Sequence, residues 1–193
     1  MQNSGMFFNF SQSDRSLKKG DILISEPFLH DPNFERSVIL ICEHNESGTF
    51  GLIVNKPTTL TLGDVLESKL NPEERLYLGG PVEQNSLHIL HDYKDLDGAI
   101  QIGDNIYWGG DFEHFCALHM IRNSEKCRFI AGYSGWGFEQ LLDEFKADTW
   151  WVYRGRPEVI FEYEPQQIWR KLVSAMGGKF RVFSNYPVNP RLN

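Results

Sequence analysis

Two short apolar runs, Val38-Ile-Leu-Ile-Cys42 and Leu52-Ile-Val54, flank a polar interval carrying Asn45, Ser47 and Gly48. They constrain the fold more than any other feature. Each run is too short for a free-standing helix and rich in β-branched side chains, so the pair reads as a β-hairpin. Neither run alternates with polar residues. Both faces must therefore be covered, which places the pair inside a sheet rather than at its edge.

The chain around this hairpin mixes strand and helix signals without strict βαβ alternation. Ile22 to Ser25 predicts a strand stopped by Pro27, and His30-Asp31-Pro32-Asn33 is turn chemistry. Thr61 suits the cap of a short helix with Leu62, Val65 and Leu66 on one face. Leu76 to Leu78 predicts a strand ended by Gly79-Gly80-Pro81, and Leu87 to His91 another. Ala99 to Ile102 and Ile106 to Trp108 read as a hairpin around Gly103-Asp104-Asn105. Asp111 is an N-cap for a helix to about Arg122, in which Phe112, Phe115, Leu118 and Met120 or Ile121 form a buried stripe.

Cys127 to Tyr133 predicts a strand. Ser134-Gly-Trp-Gly137 then opens a helix with Leu141, Leu142 and Phe145 facing inward. Thr149 to Tyr153 and Val159 to Phe161 read as strands. Pro165 starts a helix carrying Ile168, Trp169, Leu172, Val173 and Met176 that stops at Gly177-Gly178. Lys179 to Phe183 reads as an edge strand. The fold class is α+β with a mixed, curved sheet. Residues 1–16, with Phe7, Phe8 and Phe10, form a flexible arm, 17–183 a single domain and 184–193 a tail.

A length of 193 residues is enough for one well-filled core. The net charge of −7, from 26 acidic against 19 basic residues, works against non-specific attraction to nucleic acid or anionic lipid. No helix-turn-helix pattern favours direct DNA contact. The thiols Cys42, Cys116 and Cys127 are widely spaced and lack a Cys-x-x-Cys pair, which suits a reduced compartment. The first residues carry neither the basic nor the apolar region of a signal peptide, and no stretch reaches membrane-spanning length. The cytoplasm is the expected location.

The segment from Gly20 to Pro57, the turn Leu78-Gly-Gly-Pro-Val82, and Gly132-Tyr-Ser-Gly-Trp-Gly137 leading into Gln140-Leu141 resemble the YqgE/AlgH family of small bacterial proteins. The likeness spans roughly residues 20 to 178. It implies an α+β fold whose branched sheet curls into a pseudo-barrel with flanking helices. It implies no catalytic mechanism, and one branch carries the label of a transcriptional regulator of alginate-synthesis genes. Where many relatives have a Thr-Ser segment before the middle helix, this chain has Tyr107-Trp-Gly-Gly-Asp-Phe112, which adds aromatic surface.

Three constellations carry possible chemistry. Cys42-Glu43-His44 sets a thiol beside an imidazole, and strand alternation puts Cys42 and His44 on one side, as a hydrolase or transferase would need. A buried core thiol is the stronger reading. His88-x-x-His91 lacks the spacing of a zinc site, and no metal or cofactor is expected. In Gly132-Tyr-Ser-Gly-Trp-Gly137, Ser134 sits between a strand and a helix. The nucleophile elbow, however, needs glycine where Trp136 stands. The glycines there favour shaped backbone with free amides, able to meet a small anion.

The expected ligand or partner surface comprises Arg36, with a carboxylate such as Asp31 beside it, Glu43, His44, Asn45, Gly79, Gly80, Gly135, Trp136 and Gly137. The sequence reads as a non-catalytic intracellular binding or regulatory module, for an unknown protein partner or small anionic ligand.

Overall fold

The computed structural model describes residues 10–11, 17–67, 70–122, 124, 126–154 and 156–186. Phe7, Phe8 and the last seven residues of the expected tail lie outside them. The strands are β1 (Phe10–Ser11), β2 (Ile22–Ser25), β3 (Val38–Asn45), β4 (Gly48–Ile53), β5 (Pro57–Thr61), β6 (Arg75–Leu78), β7 (Val82–His91), β8 (Ala99–Gly103), β9 (Ile106–Gly109), β10 (Cys127–Trp136) and β11 (Trp150–Tyr153). The helices are α1 (Leu62–Val65), α2 (Phe112–Arg122), α3 (Phe138–Lys146), α4 (Val159–Glu162), α5 (Pro165–Ala175) and α6 (Gly178–Phe183).

The strands form one sheet in the order β1-β11-β2-β3-β4-β10-β7-β9-β8, with β6 added to β10 and β5 to β6. The apolar hairpin β3–β4 lies inside it, between β2 and β10, as its two-sided hydrophobicity demands. Pairing is antiparallel except between β6 and β10, so the sheet is mixed and branched. It does not close. Edge strand β1 pairs with β11 and edge strand β8 with β9, and a barrel would need those two edges to meet.

Alternation along the strands divides the core. On one face Ile24, Leu40, Leu52 and Ile130 meet Ile160, Ile168, Trp169 and Leu172 from α4 and α5. On the other, Leu23, Ile39 and Ile53 meet Leu141 and Phe145 of α3. Farther along that second face, Leu76, Ile89 and Phe129 meet Phe115 of α2. Each fully buried Leu or Ile here contributes about 1.5–3 kcal/mol. A register shift between Ala131 and Tyr133 returns Tyr133 to the face of Ile130, three residues earlier. One extra residue inverts the alternation.

The caps follow the sequence. Asp111 Oδ1 accepts from the His114 amide at 2.7 Å, and Thr61 with Asp64 forms a capping box on α1. Four expectations fail. Val159–Glu162 is a helical turn, because the carbonyls of Arg156, Pro157 and Glu158 accept from the amides three residues on. A short apolar run does not by itself separate strand from buried helix. Gly178–Phe183 is also helical: Phe180 packs on Trp151 at 4.9 Å and Phe183 on Phe28 at 5.6 Å, a three-residue spacing. Ser134 to Trp136, expected to open a helix, continues β10, and the helix waits until Phe138. Met120 and Ile121 are 60% and 82% exposed, so the stripe expected on α2 is buried only at Phe115, with Phe112 and Leu118 partly covered.

Candidate functional site

Cys42 is the bulged residue of β3, set between the pairs Ile41–Gly51 and Glu43–Phe50. Its side chain is fully buried on the α5 face, with Sγ 3.8 Å from the Leu40 carbonyl oxygen. Burial pushes the thiol well above its ordinary range, the reverse of an activated nucleophile. The same bulge turns His44 to the opposite face, where Nδ1 lies 2.8 Å from Thr49 Oγ1. Cys42 and His44 therefore do not share a side.

The other reactive groups are also engaged. Ser134 is fully buried and its hydroxyl donates to the Gly79 carbonyl at 3.0 Å. His91 is buried, with Nε2–H donating to the Gly109 carbonyl at 2.8 Å and Nδ1 accepting from the Tyr93 amide at 3.1 Å. That arrangement fixes a neutral ring, and burial lowers its pKa accordingly. On α2, His119 Nδ1 meets the Tyr93 hydroxyl at 2.7 Å. Among the described residues no three His, Cys, Asp or Glu side chains are grouped to hold a metal ion.

The glycine motifs build the branch of the sheet. Phe129 to Ala131 of β10 has β6 along one edge, whereas Ser134 to Trp136 has β4 along that edge. The chain leaves β6 through Gly79, which fills the fork. Its amide donates to the Ala131 carbonyl at 2.8 Å, and its carbonyl accepts from Ile53 at 2.9 Å. A Cβ on Gly79 would lie 2.1 Å from the Gly132 oxygen, and one on Gly80 2.2 Å from the Tyr133 oxygen. Only glycine admits that approach.

The structure divides the predicted surface. Register sets Glu43, Phe50 and Gly135 in one row across β3, β4 and β10, and His44, Thr49 and Trp136 in the next. The first row faces the side of α5 and the second the side of α3. Trp136 is core, 5% exposed, and its indole N–H donates to Glu144 Oε2 at 2.9 Å. Asn45 sits at the hairpin tip opposite Gly48, and Gly137 is the exposed residue before α3. Arg36 lies just before the far end of β3, whose start at Val38 is about 20 Å of strand from His44. Its guanidinium lies over Trp169 at 4.9 Å and donates to the Tyr186 carbonyl, rather than resting on Asp31.

What the first row borders is a cluster of four half-buried rings that sequence reasoning did not assemble. Phe50 stacks, tilted, between Trp108 at 4.8 Å and Tyr133 at 4.7 Å. His88 stands edge-on to Phe50 at 5.4 Å and to Tyr133 at 6.1 Å. Gly135 makes room for it: a Cβ there would meet the Tyr133 ring at 3.2 Å. Ser86 donates to the Glu83 carbonyl, so its oxygen accepts from His88 Nε2–H at 3.3 Å. His88 Nδ1 then accepts from the Trp108 indole at 3.4 Å, and burial holds the ring neutral by lowering its pKa. These rings continue the face that α4 and α5 cover elsewhere. With exposed Glu43 beside Phe50, the surface suits a flat apolar or cationic group better than an anion. The legible signal was Tyr133 with Gly135 two residues on, a ring and a gap on one strand face.

A branched, mixed sheet with helices on both faces, its glycines spent on the fork and its reactive side chains locked in the core, defines an α+β scaffold class. A family profile described as AlgH-like (DUF179) matches residues 22–181. The chain is 49% identical over 181 residues to a UPF0301 protein of Cytophaga hutchinsonii, covering 92% of this chain and 100% of that one. A UPF0301 protein of Bacteroides fragilis is 36% identical, with 96% of each chain covered. The solution structure of the AlgH protein from Pseudomonas aeruginosa matches with a TM-score of 0.71 and 27% identity, over 92% of this chain and 98% of that one. A Corynebacterium diphtheriae crystal structure shares the fold at a TM-score of 0.70 and 23% identity, over 88% and 93% of the two chains. The chain belongs to the AlgH-like family.

Proposed function

We propose that this chain is a non-catalytic binding or regulatory module of the cytoplasm, whose contact face is the ring cluster of Phe50, His88, Trp108 and Tyr133 with Glu43 at its rim. The single observation that carries the reading is a cluster of four half-buried rings on a sheet face that α4 and α5 bury elsewhere. The occupied roles of Cys42, His44 and Ser134 support it from the other side. The buried Cys42 thiol, which takes part in no disulfide, supports a reducing location.

Tryptophan fluorescence and thermal shift with nucleosides, aromatic amines and quaternary ammonium salts test the face. A hit that raises the melting temperature in wild type and fails with Trp108→Ala and Phe50→Ala is expected. Ester, amide or thioester turnover by wild type that disappears in Cys42→Ser or His44→Gln defeats the reading.

A further inference from the structure

Helix α2 has no single polar face, since Glu113, His114, His119 and Arg122 fall on different sides of it, and only Phe115 and His119 are buried. One stripe holds Phe112 and Cys116, partly buried against the core, and exposed Met120; the next holds Glu113, Ala117 and Ile121, all exposed. The first stripe, with Glu113 and Ala117, walls a cleft of about 680 Å³ whose other side is Leu66 and Glu67, just past α1. Leu66 is shared with a second cleft of about 530 Å³ that runs past Leu60, Val65 and Leu87 to the start of β7. Leu60, Val65, Met120 and Ile121 are 48%, 49%, 60% and 82% exposed. Leu60, Val65 and Met120 thus line a groove made of these two adjoining clefts, with Ile121 on the neighbouring stripe of α2.

We propose that this groove is a docking site for a basic amphipathic helix of a partner protein. The charges choose the occupant. Glu67 and Glu113 line the groove and Asp64 stands on α1 beside it. A lysine- or arginine-flanked segment is complementary to that rim, whereas a second copy, carrying the same rim and a net charge of −7, and an anionic lipid surface are repelled. Residues 112 to 120 span about 12 Å of α2, enough to seat two turns of a helix through apolar anchors at the i, i+3 and i+4 spacing.

Cys116 in the groove wall gives a local reporter, since burial pushes the Cys42 and Cys127 thiols up and makes them less reactive. The test measures iodoacetamide alkylation of Cys116 by intact mass, with a synthetic lysine–leucine helical peptide of about four turns as the probe. The expected result is alkylation slowed about tenfold by that peptide and not by the glutamate–leucine peptide of the same pattern. Met120→Glu, on an exposed position, abolishes protection although it adds negative charge. The pair Glu67→Lys with Glu113→Lys transfers protection to the acidic peptide. Equal protection by both peptides, or protection that survives Met120→Glu, overturns the proposal. So does a concentration-dependent dimer in sedimentation that Met120→Glu dissolves, which makes a second copy the occupant.

Discussion

Arg128 is the most consequential single residue to remove. It sits in β10 at 5% exposure, its guanidinium donating to the carbonyls of Val54 and Ile160, over Tyr77 at 5.1 Å and Phe161 at 5.7 Å. Burial lowers its pKa to about 10, which records the desolvation of the cation. Arg128→Ala leaves two buried carbonyls unpaired at about 1–3 kcal/mol each and forfeits a stem worth about 0.8 kcal/mol per methylene. Relief of the cation's desolvation, several kcal/mol at most, offsets part of that. The net expected loss is about 3–5 kcal/mol, a large share of a typical 5–15 kcal/mol stability. Arg128→Met keeps the stem and volume and relieves the same desolvation, so its loss is about 1–3 kcal/mol, the cost of the two carbonyls less that relief. Urea unfolding followed by tryptophan fluorescence measures both, with the midpoint falling and the slope unchanged. A loss below about 1 kcal/mol for Arg128→Ala, or no loss for Arg128→Met, refutes the argument that main-chain pairing is what this side chain supplies.

Gly79→Ala drives a Cβ to 2.1 Å from the Gly132 oxygen and is expected to unfold the chain or cost several kcal/mol, whereas Gly137→Ala, with nothing within 4 Å, stays within about 0.5 kcal/mol by the same urea assay. Asn55→Ala removes an acceptor for the Val38 amide and a donor to the Arg36 carbonyl, each at 2.8 Å, and is expected to lower stability by about 2–3 kcal/mol. Acid is expected to destabilise the fold below about pH 6.5, because burial lowers the pKa of His44, His88, His91 and His119. The unfolded chain then binds protons that the folded chain refuses, so stability falls as pH drops through that window. A urea midpoint that is flat or rising from pH 7.5 to 5.5 contradicts this.

The hairpin at residues 38–54, the capped helix at Asp111 and the helix from Pro165 were legible because local pattern and tertiary need agree there. The glycine motif was misread because the sequence shows that Gly132 to Gly137 shapes backbone but not which strands it separates. Its partner Gly79 is more than fifty residues upstream, and only register reveals the fork. The ring cluster was invisible for a related reason. Phe50, His88, Trp108 and Tyr133 come from four different strands, and strand periodicity cannot state which strands are neighbours. Cys42 and His44 were misplaced by a bulge that inverts alternation at one residue.

Strand β10 is made late, yet β4, β6 and β7 all lean on it. During synthesis the ribosome must deliver residue 136 before those earlier strands find their neighbour, and until then their edges stand unpaired. A nascent chain stalled short of that point is expected to be aggregation-prone, and one stalled beyond it to be protected. The insertion of a central strand from the second half of the polypeptide makes assembly of this sheet a non-local, and therefore slow, event.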